Sequence, residues 1–208
     1  MAKICLAVVL ILGAASVQAQ PSPATVPIQP SPDSAEERQT LRTLTACLAE
    51  SRPRWARQTL SHPYLSDAQA SAASEALSGR DNCIRETEAE ITFRTSGLVG
   101  SLAEHFLRAE IESADFARLS AALSTLTPLN VSEDFALCVA ARNPAAARDL
   151  ALSEPGSAAE TQAARQVAAY VGSCTNESER PTVDLQSLRA LISTALYRGV
   201  TTVLAARH

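Results

Sequence analysis

The sequence predicts an all-α protein in which two tandem multi-helix repeats, each stapled by a disulfide, pack into one compact helical domain. Alanine and arginine, both strong helix formers, are abundant, and aromatic residues make up only 4% of the chain. The segments CLAESRPRWARQ, from Cys47, and CVAARNPAAARD, from Cys138, share a cysteine, a proline six residues later and an Ala-Arg pair nine residues later. One helical unit therefore occurs twice.

The first 19 residues have the pattern of a secretory signal peptide. Lys3 precedes an uncharged apolar run at residues 4–15, and Val17-Gln18-Ala19 supplies the small residues of a cleavage site. The run is shorter than the roughly 20 residues that span a bilayer. We expect cleavage after Ala19, a periplasmic or secreted product, and no transmembrane anchor in the mature chain. Residues 20–35, rich in proline, are predicted to be a flexible leader.

The first repeat is predicted to cover residues 36–108. Ser34 is a suitable N-cap for its first helix, because Glu36 and Glu37 follow in the first turn. Pro53 suits the first turn of a short second helix, which His62-Pro63 ends. Two further helices are predicted from near Ser66 to before Gly79 and over roughly residues 96–108, the last with Leu98, Leu102 and Phe106 on one face.

A helical linker is predicted over residues 109–130, and the second repeat over residues 131–208. Apolar residues from Phe116 to Leu126 recur at helical spacing in the linker, and Pro128 ends the pattern. The second repeat then follows the plan of the first. Its predicted helices start at Ser132 as a cap, at Pro144, at Ser157 and at Leu185.

The four cysteines after the signal peptide, at separations of 36, 55 and 36 residues, indicate disulfides in an exported protein. Four cysteines permit three pairings. The repeat selects one of them, because a bridge inside each copy joins Cys47 to Cys83 and Cys138 to Cys174. Each bridge would contribute about 3–4 kcal/mol by restricting the unfolded chain.

The charge pattern argues against nucleic-acid binding. The whole chain has a formal net charge of −4, and Lys3 is its only lysine. General binding to nucleic acid needs a concentrated basic surface, which this composition does not provide. The exclusive use of arginine after the signal peptide fits either bidentate anion recognition or the codon bias of a GC-rich genome.

Four arginines are retained between the repeats and are candidate partner or anion contacts: Arg57 opposite Arg148, and Arg108 opposite Arg198. The alternative is structural, since an arginine near a helix carboxyl end stabilises the helix and covers apolar surface with its stem. Trp55 has no counterpart in the second repeat. It is either an exposed anchor for a partner or a core residue.

No catalytic, metal-binding or cofactor-binding motif accompanies these residues. His62 precedes a proline in a predicted turn, and His105 lies on a helix without ligands at three- or four-residue spacing. The cysteines lack the CxxC pattern of a redox centre or zinc site. We predict no cofactor and no metal.

The segment CVAARNPAAARDLALSEPGSA and the helix end LISTALYR at residues 191–198 resemble small, duplicated, Ala/Arg-rich exported helical proteins of GC-rich proteobacteria. The resemblance spans most of the chain after the signal peptide. It implies an exported helical protein and carries over no catalytic residue.

The sequence thus favours a non-enzymatic helical module of the periplasm that binds another envelope protein or peptide. The alternative is a small periplasmic hydrolase or transferase that uses His62 or His105. The two interpretations differ in whether replacing either histidine abolishes turnover of a substrate. The oligomeric state stays open.

Overall fold

The computed structural model describes residues 28, 29, 31, 33–78, 83, 94–175 and 183–207. About 80% of this part of the chain is helical, and it contains no β-strand. The predicted signal peptide and the leader up to residue 27 lie outside the described residues. The nine α-helices within them are α1 (Ala35–Ser51), α2 (Pro53–Ser61), α3 (Asp67–Ser78), α4 (Thr95–Glu110), α5 (Phe116–Thr125), α6 (Val131–Arg142), α7 (Pro144–Leu152), α8 (Ala158–Val171) and α9 (Leu185–Ala205).

Helix α1 begins at the predicted cap. The Ser34 hydroxyl accepts a hydrogen bond from the Glu37 amide at 3.1 Å, and the Glu37 carboxylate accepts one from the Ser34 amide at 2.6 Å. This capping box satisfies two N–H groups that the helix cannot pair. Pro53 and Pro144 are the first residues of α2 and α7, where the missing N–H of proline costs nothing.

The predicted cap of the second repeat is wrong. Helix α6 begins at Val131, so Ser132 lies inside it, and Asn130 is the N-cap. The Asn130 Oδ1 accepts from the Glu133 amide at 2.9 Å, while its Nδ2 donates to the Tyr64 carbonyl at 2.7 Å. Asparagine caps a helix as well as serine, and this tertiary bond favours the earlier start.

Helices α4 and α9 form the centre of the molecule and make its most extensive helix–helix contact. A Cβ at Gly100 would lie only 2.5 Å from the Ala190 Cβ, so the crossing requires a residue without a side chain at this position. Helix α1 packs on α4, whereas α5, α6 and α7 pack on α9.

One continuous core cluster contains buried apolar side chains from all nine helices. The predicted inward faces of α4 and α9 contribute to it, because Leu98, Leu102, Leu188 and Ile192 have no exposed surface. The small alanines between these larger side chains allow the helices to approach closely. The predicted all-α fold class is therefore confirmed for the described residues.

The last residues of the predicted leader contact the start of α9. The Gln29 amide donates to the Val183 carbonyl at 3.2 Å, and the Leu185 amide donates to the Gln29 carbonyl at 2.9 Å. Ser31 donates to the Gln186 side chain at 3.2 Å. This short parallel bridge places the chain beside the start of α9 before α1 begins.

Both predicted disulfides are present, Cys47–Cys83 and Cys138–Cys174. In each, the two Cα atoms lie 5.8 Å apart, which is the usual separation for a disulfide. Bridges of this kind are typical of chains that fold in an oxidising compartment. Within the described ranges, no helix combines the length and the hydrophobicity needed to cross a membrane.

Candidate functional site

Arg57, the first of the predicted contact residues, is part of an internal cluster. Its guanidinium lies 4.2 Å from the centre of the Phe106 ring and donates to Glu110 at 2.6 Å. A further bond reaches the Tyr197 hydroxyl at 3.3 Å, so Arg57 joins α2 to both central helices. Its counterpart Arg148 contacts Asp149 and the Phe116 ring instead. Each arginine thus contacts one carboxylate and one phenylalanine ring, but these partners lie on different elements.

Arg108 and Arg198 also differ in their partners. Arg198 donates to the buried Glu133 carboxylate at 2.6 Å and to the Thr127 carbonyl at 3.3 Å. Arg108 lies 3.5 Å from Glu104 and makes no hydrogen bond within the described part of the chain. The structure thus gives each of the four predicted arginines a different set of partners rather than one shared site.

Trp55 and the two candidate histidines show no catalytic arrangement. The half-buried Trp55 donates from its indole nitrogen to the Ala72 carbonyl at 2.9 Å, and Arg52 covers its ring. His105 packs edge-on against Phe106. Neither His62 nor His105 forms a side-chain hydrogen bond or ion pair with a described residue. No described neighbour is therefore positioned to activate either imidazole.

Sequence reasoning missed a buried ionic network centred on Arg189 of α9. Its guanidinium donates to both oxygens of Glu104 on α4, at 2.6 and 2.9 Å, and to Glu160 on α8 at 2.8 Å. It also donates to the Ala151 carbonyl in the last turn of α7 at 3.0 Å, and to the carbonyl and the hydroxyl of Ser153 just beyond it, at 2.7 and 3.2 Å. All five N–H donors of an arginine thus have acceptors, and three helices and a turn are joined through one side chain.

Glu160 joins the same network to α1. Arg38 donates to its Oε1 at 2.5 Å, and the Gly156 amide donates to its Oε2 at 2.7 Å. Burial raises the pKa of Glu160, but the hydrogen bonds from Arg38 and Gly156 and the charge of Arg189 outweigh burial and hold that pKa below its usual value. Glu160 is therefore a charged carboxylate with only 1% of its surface exposed.

The network contains one positive charge in excess. Three arginines, Arg38, Arg108 and Arg189, share two carboxylates, Glu104 and Glu160. At the rim, Arg42 and Glu154 neutralise each other through two bonds at 2.6 and 3.0 Å. Burial and the nearby charges of Arg42 and Arg189 lower the pKa of Arg108. Of the three arginines in the network, Arg108 thus has the least negative charge from described neighbours to balance its own charge.

A small cavity of about 30 Å³ lies between α1, α4, α9 and the turn before α8. Its polar lining consists of Arg38, Arg42, Ser101, Glu104, Gln186 and Arg189. A space of this size holds a group of a few atoms, such as two or so water molecules or one carboxylate. The excess positive charge makes the cavity suited to a small anionic group.

A second surface feature lies at the turn between α2 and α3. Leu65 there has 53% of its surface exposed, and Leu129 and Val131 are 52% and 85% exposed. The Glu133 carboxylate accepts from the amides of Tyr64 and Leu129, at 3.1 and 2.8 Å, and so fixes the two segments side by side. We call these three side chains the apolar patch.

The cavity and the apolar patch are the candidate sites within the described part of the chain. Among the described residues, no group of three His, Cys, Asp or Glu side chains is arranged to hold a metal ion. No protein family, curated protein or solved structure matches this chain.

Proposed function

We propose that this protein is an exported, non-enzymatic helical module that binds another envelope protein or peptide through the apolar patch. The observation that carries the proposal is the backbone of Leu65, whose φ is +61°. This left-handed conformation costs a bulky residue about 1–2 kcal/mol and normally selects glycine or asparagine. Leu65 thus combines a strained backbone with an exposed side chain, and a contribution to stability does not explain this combination.

The surroundings hold Leu65 in this conformation. Its amide donates to the buried Gln69 side chain at 2.8 Å, and the neighbouring Tyr64 is bonded through both its amide and its carbonyl to the start of α6. The patch is thus presented by a fixed backbone. A rigid apolar surface loses little conformational entropy on association, which favours recognition of a partner.

We also propose that the chain arose by internal duplication, with the first unit at 36–108, the second at 131–208 and residues 109–130 between them. The bounds of α2 and α7 are related by 91 residues, as are Leu65 and Gly156, which both have positive φ. A shift of 90 residues relates Gly100 to Ala190 at the crossing of α4 and α9. These correspondences support a repeated unit.

Export through a signal peptide at residues 1–19 belongs to the same proposal. The two disulfides support it, because structural bridges persist in oxidising compartments and are rare in the cytosol. The alternative function, a hydrolase or transferase using His62 or His105, has no geometric support, since neither imidazole has an activating neighbour among the described residues.

The test compares partner capture by the wild type and by Leu65→Asn. Asparagine tolerates positive φ, so this variant should fold with unchanged or slightly greater stability while removing the apolar side chain. We expect capture from a periplasmic extract to recover a defined protein with the wild type and to lose it with Leu65→Asn.

The matched control is Phe116→Asn, which replaces another exposed apolar residue, at the far end of α5 from Leu129. It should retain the partner. Loss of the partner in both variants would show that the patch is not the contact surface. Sedimentation of the wild type could also show concentration-dependent dimers that Leu65→Asn abolishes. The partner would then be a second copy of this chain and not another envelope protein.

A further inference from the structure

The arginines Arg108 and Arg198 occupy corresponding positions in the two units but face opposite charges. Arg198 pairs with Glu133 on α6. The residue that corresponds to Glu133, 91 positions earlier on α1, is Arg42. Arg108 therefore lies near an arginine where Arg198 has a carboxylate, and the charge of Arg42 acts on it unfavourably.

The carboxylate of Glu133 shows what the first unit lacks. It accepts hydrogen bonds from two backbone amides and from Arg198, and only 6% of the residue is exposed. In the first unit, Arg42 instead reaches outward to Glu154. The cavity between α1, α4 and α9 therefore lies where a second acidic side chain is missing.

Arg38 lines this cavity and has donors without acceptors among the described residues. Only 9% of its surface is exposed, and among the described residues it donates a single hydrogen bond, from Nη1 to Glu160. Its buried Nε has no acceptor. A buried donor without an acceptor costs about 1–3 kcal/mol, so an acceptor that reaches Arg38 is favoured.

We infer that this cavity binds one carboxylate group, contributed by a ligand, beside Arg38 and within reach of the charges of Arg42 and Arg108. The ligand carboxylate takes the place that the Glu133 carboxylate has in the second unit and neutralises the excess positive charge. The correspondence between Arg42 and Glu133 rests on the duplication proposed above. The excess of three arginines over two carboxylates does not depend on it. The site is separate from the apolar patch, so either can fail alone.

The probe is acetate, titrated in place of chloride at constant ionic strength, with the neutral acetamide as control. Nuclear magnetic resonance follows the Arg38 Nε–H signal and the backbone amide of Ser101, which lines the cavity. We expect a saturable shift of both signals with acetate and none with acetamide. Equal shifts with acetamide, or no saturable shift with acetate, would overturn the inference.

Variants then test the origin of binding. Arg38→Gln removes the unused donors and the excess charge, so the saturable shift at Ser101 should disappear. Arg108→Gln removes the same charge without breaking a hydrogen bond to a described residue, and it should weaken acetate binding about tenfold. If Arg38→Gln does not fold, Arg108→Gln decides. Arg148→Gln, which changes the net charge equally at an exposed ion pair, should bind like the wild type.

The source of the carboxylate is distinguished with a short alanine peptide bearing a free C-terminus and the same peptide amidated. Tighter binding of the free acid than of acetate, with no binding of the amide, identifies a peptide C-terminus. Acetate binding without peptide binding identifies a small free acid. Equal binding of the acid and the amide would exclude a carboxylate site.

Discussion

The turn at residues 62–66 and the turn at residues 153–157 have the same backbone plan and different chemistry. In each, a residue with positive φ donates its amide to a buried side chain four positions later. The distances are 2.8 Å from Leu65 to Gln69 and 2.7 Å from Gly156 to Glu160. Both acceptors are 1% exposed.

The difference between the acceptors decides what surrounds each turn. Gln69 is neutral and completes its bonding locally, with the carbonyls of Thr59 and His62. Glu160 carries a charge that requires compensation, and it binds Arg38 and Arg189 from two other helices. The charged carboxylate of Glu160 therefore connects the second turn to two other helices, whereas the first turn displays the apolar patch.

The largest effect is expected from Arg189→Met, which breaks the second turn alone. Under the duplication proposed above, the residue that corresponds to Arg189, 90 positions earlier, is the buried Val99, so the first turn has no equivalent arginine. The substitution leaves Glu104 and Glu160 buried with too few cations and removes bonds to two carbonyls. We expect a loss of about 3–5 kcal/mol of stability, measured by urea unfolding.

Arg148→Met is the control for this loss. Its guanidinium contacts the adjacent Asp149 at the surface, and both side chains are substantially exposed. Such pairs contribute about 0–1 kcal/mol. Equal losses in the two variants would contradict the role of Arg189 as the central cation.

The next largest effect is the difference in stability between the variants Gly156→Ala and Leu65→Ala. Gly156 has a φ of +75°, and a Cβ there would lie 2.7 Å from the Cβ of Ala35. Both the backbone and the contact oppose the added methyl group, so we expect a loss of about 1–3 kcal/mol in thermal or urea unfolding. Leu65 already has a Cβ at positive φ.

Leu65→Ala should therefore change stability by less than about 0.5 kcal/mol, as is usual for an exposed position. A loss at Leu65→Ala equal to that at Gly156→Ala would mean that the leucine side chain stabilises the first turn. In that case its exposure would have a structural reason, and the proposal of a partner surface would lose its main support.

The sequence predicted the helices because their signals are local. Ser34, Pro53, Pro144 and Ser157 act within one turn of the backbone, and the structure has helices beginning at each. The error at Ser132 arose where two capping residues lay within two positions of each other. A bond from Asn130 to the Tyr64 carbonyl, 66 residues away, favoured the earlier one.

The candidate sites were less predictable because their partners are remote in sequence. Glu104 and Arg189 are 85 residues apart, and Arg38 and Glu160 are 122 apart. A charge next to an inward apolar stripe, such as Arg189 beside Leu188, was the available signal of a buried pair. The arginines at matching positions of the predicted repeats gave a partial indication, since Arg108 borders the network. Matching positions in the sequence could not show which partner each arginine meets.

The smallest effect is a difference in pH dependence between the two turns. The pKa of Glu160 is lowered in the folded state, so its charge contributes stability above its ordinary pKa of 4.5, and this contribution is lost as the pH falls below that value. The stability difference between wild type and Glu160→Gln should therefore be largest near neutral pH and shrink in acid. Urea unfolding at several pH values measures it.

For the reciprocal variant, Gln69→Glu, the relevant quantity is the stability of the form with glutamate minus that of the form with glutamine. We expect this difference to fall with rising pH at position 69, whereas it rises with pH at position 160. The new carboxylate would be buried beside two carbonyl oxygens, at a position where the present side chain contacts no arginine among the described residues. Burial then raises its pKa, so the variant should lose stability as the pH rises through that pKa and regain it in acid. If this difference rose with pH at both positions, the arginines around Glu160 would not be what distinguishes the two turns.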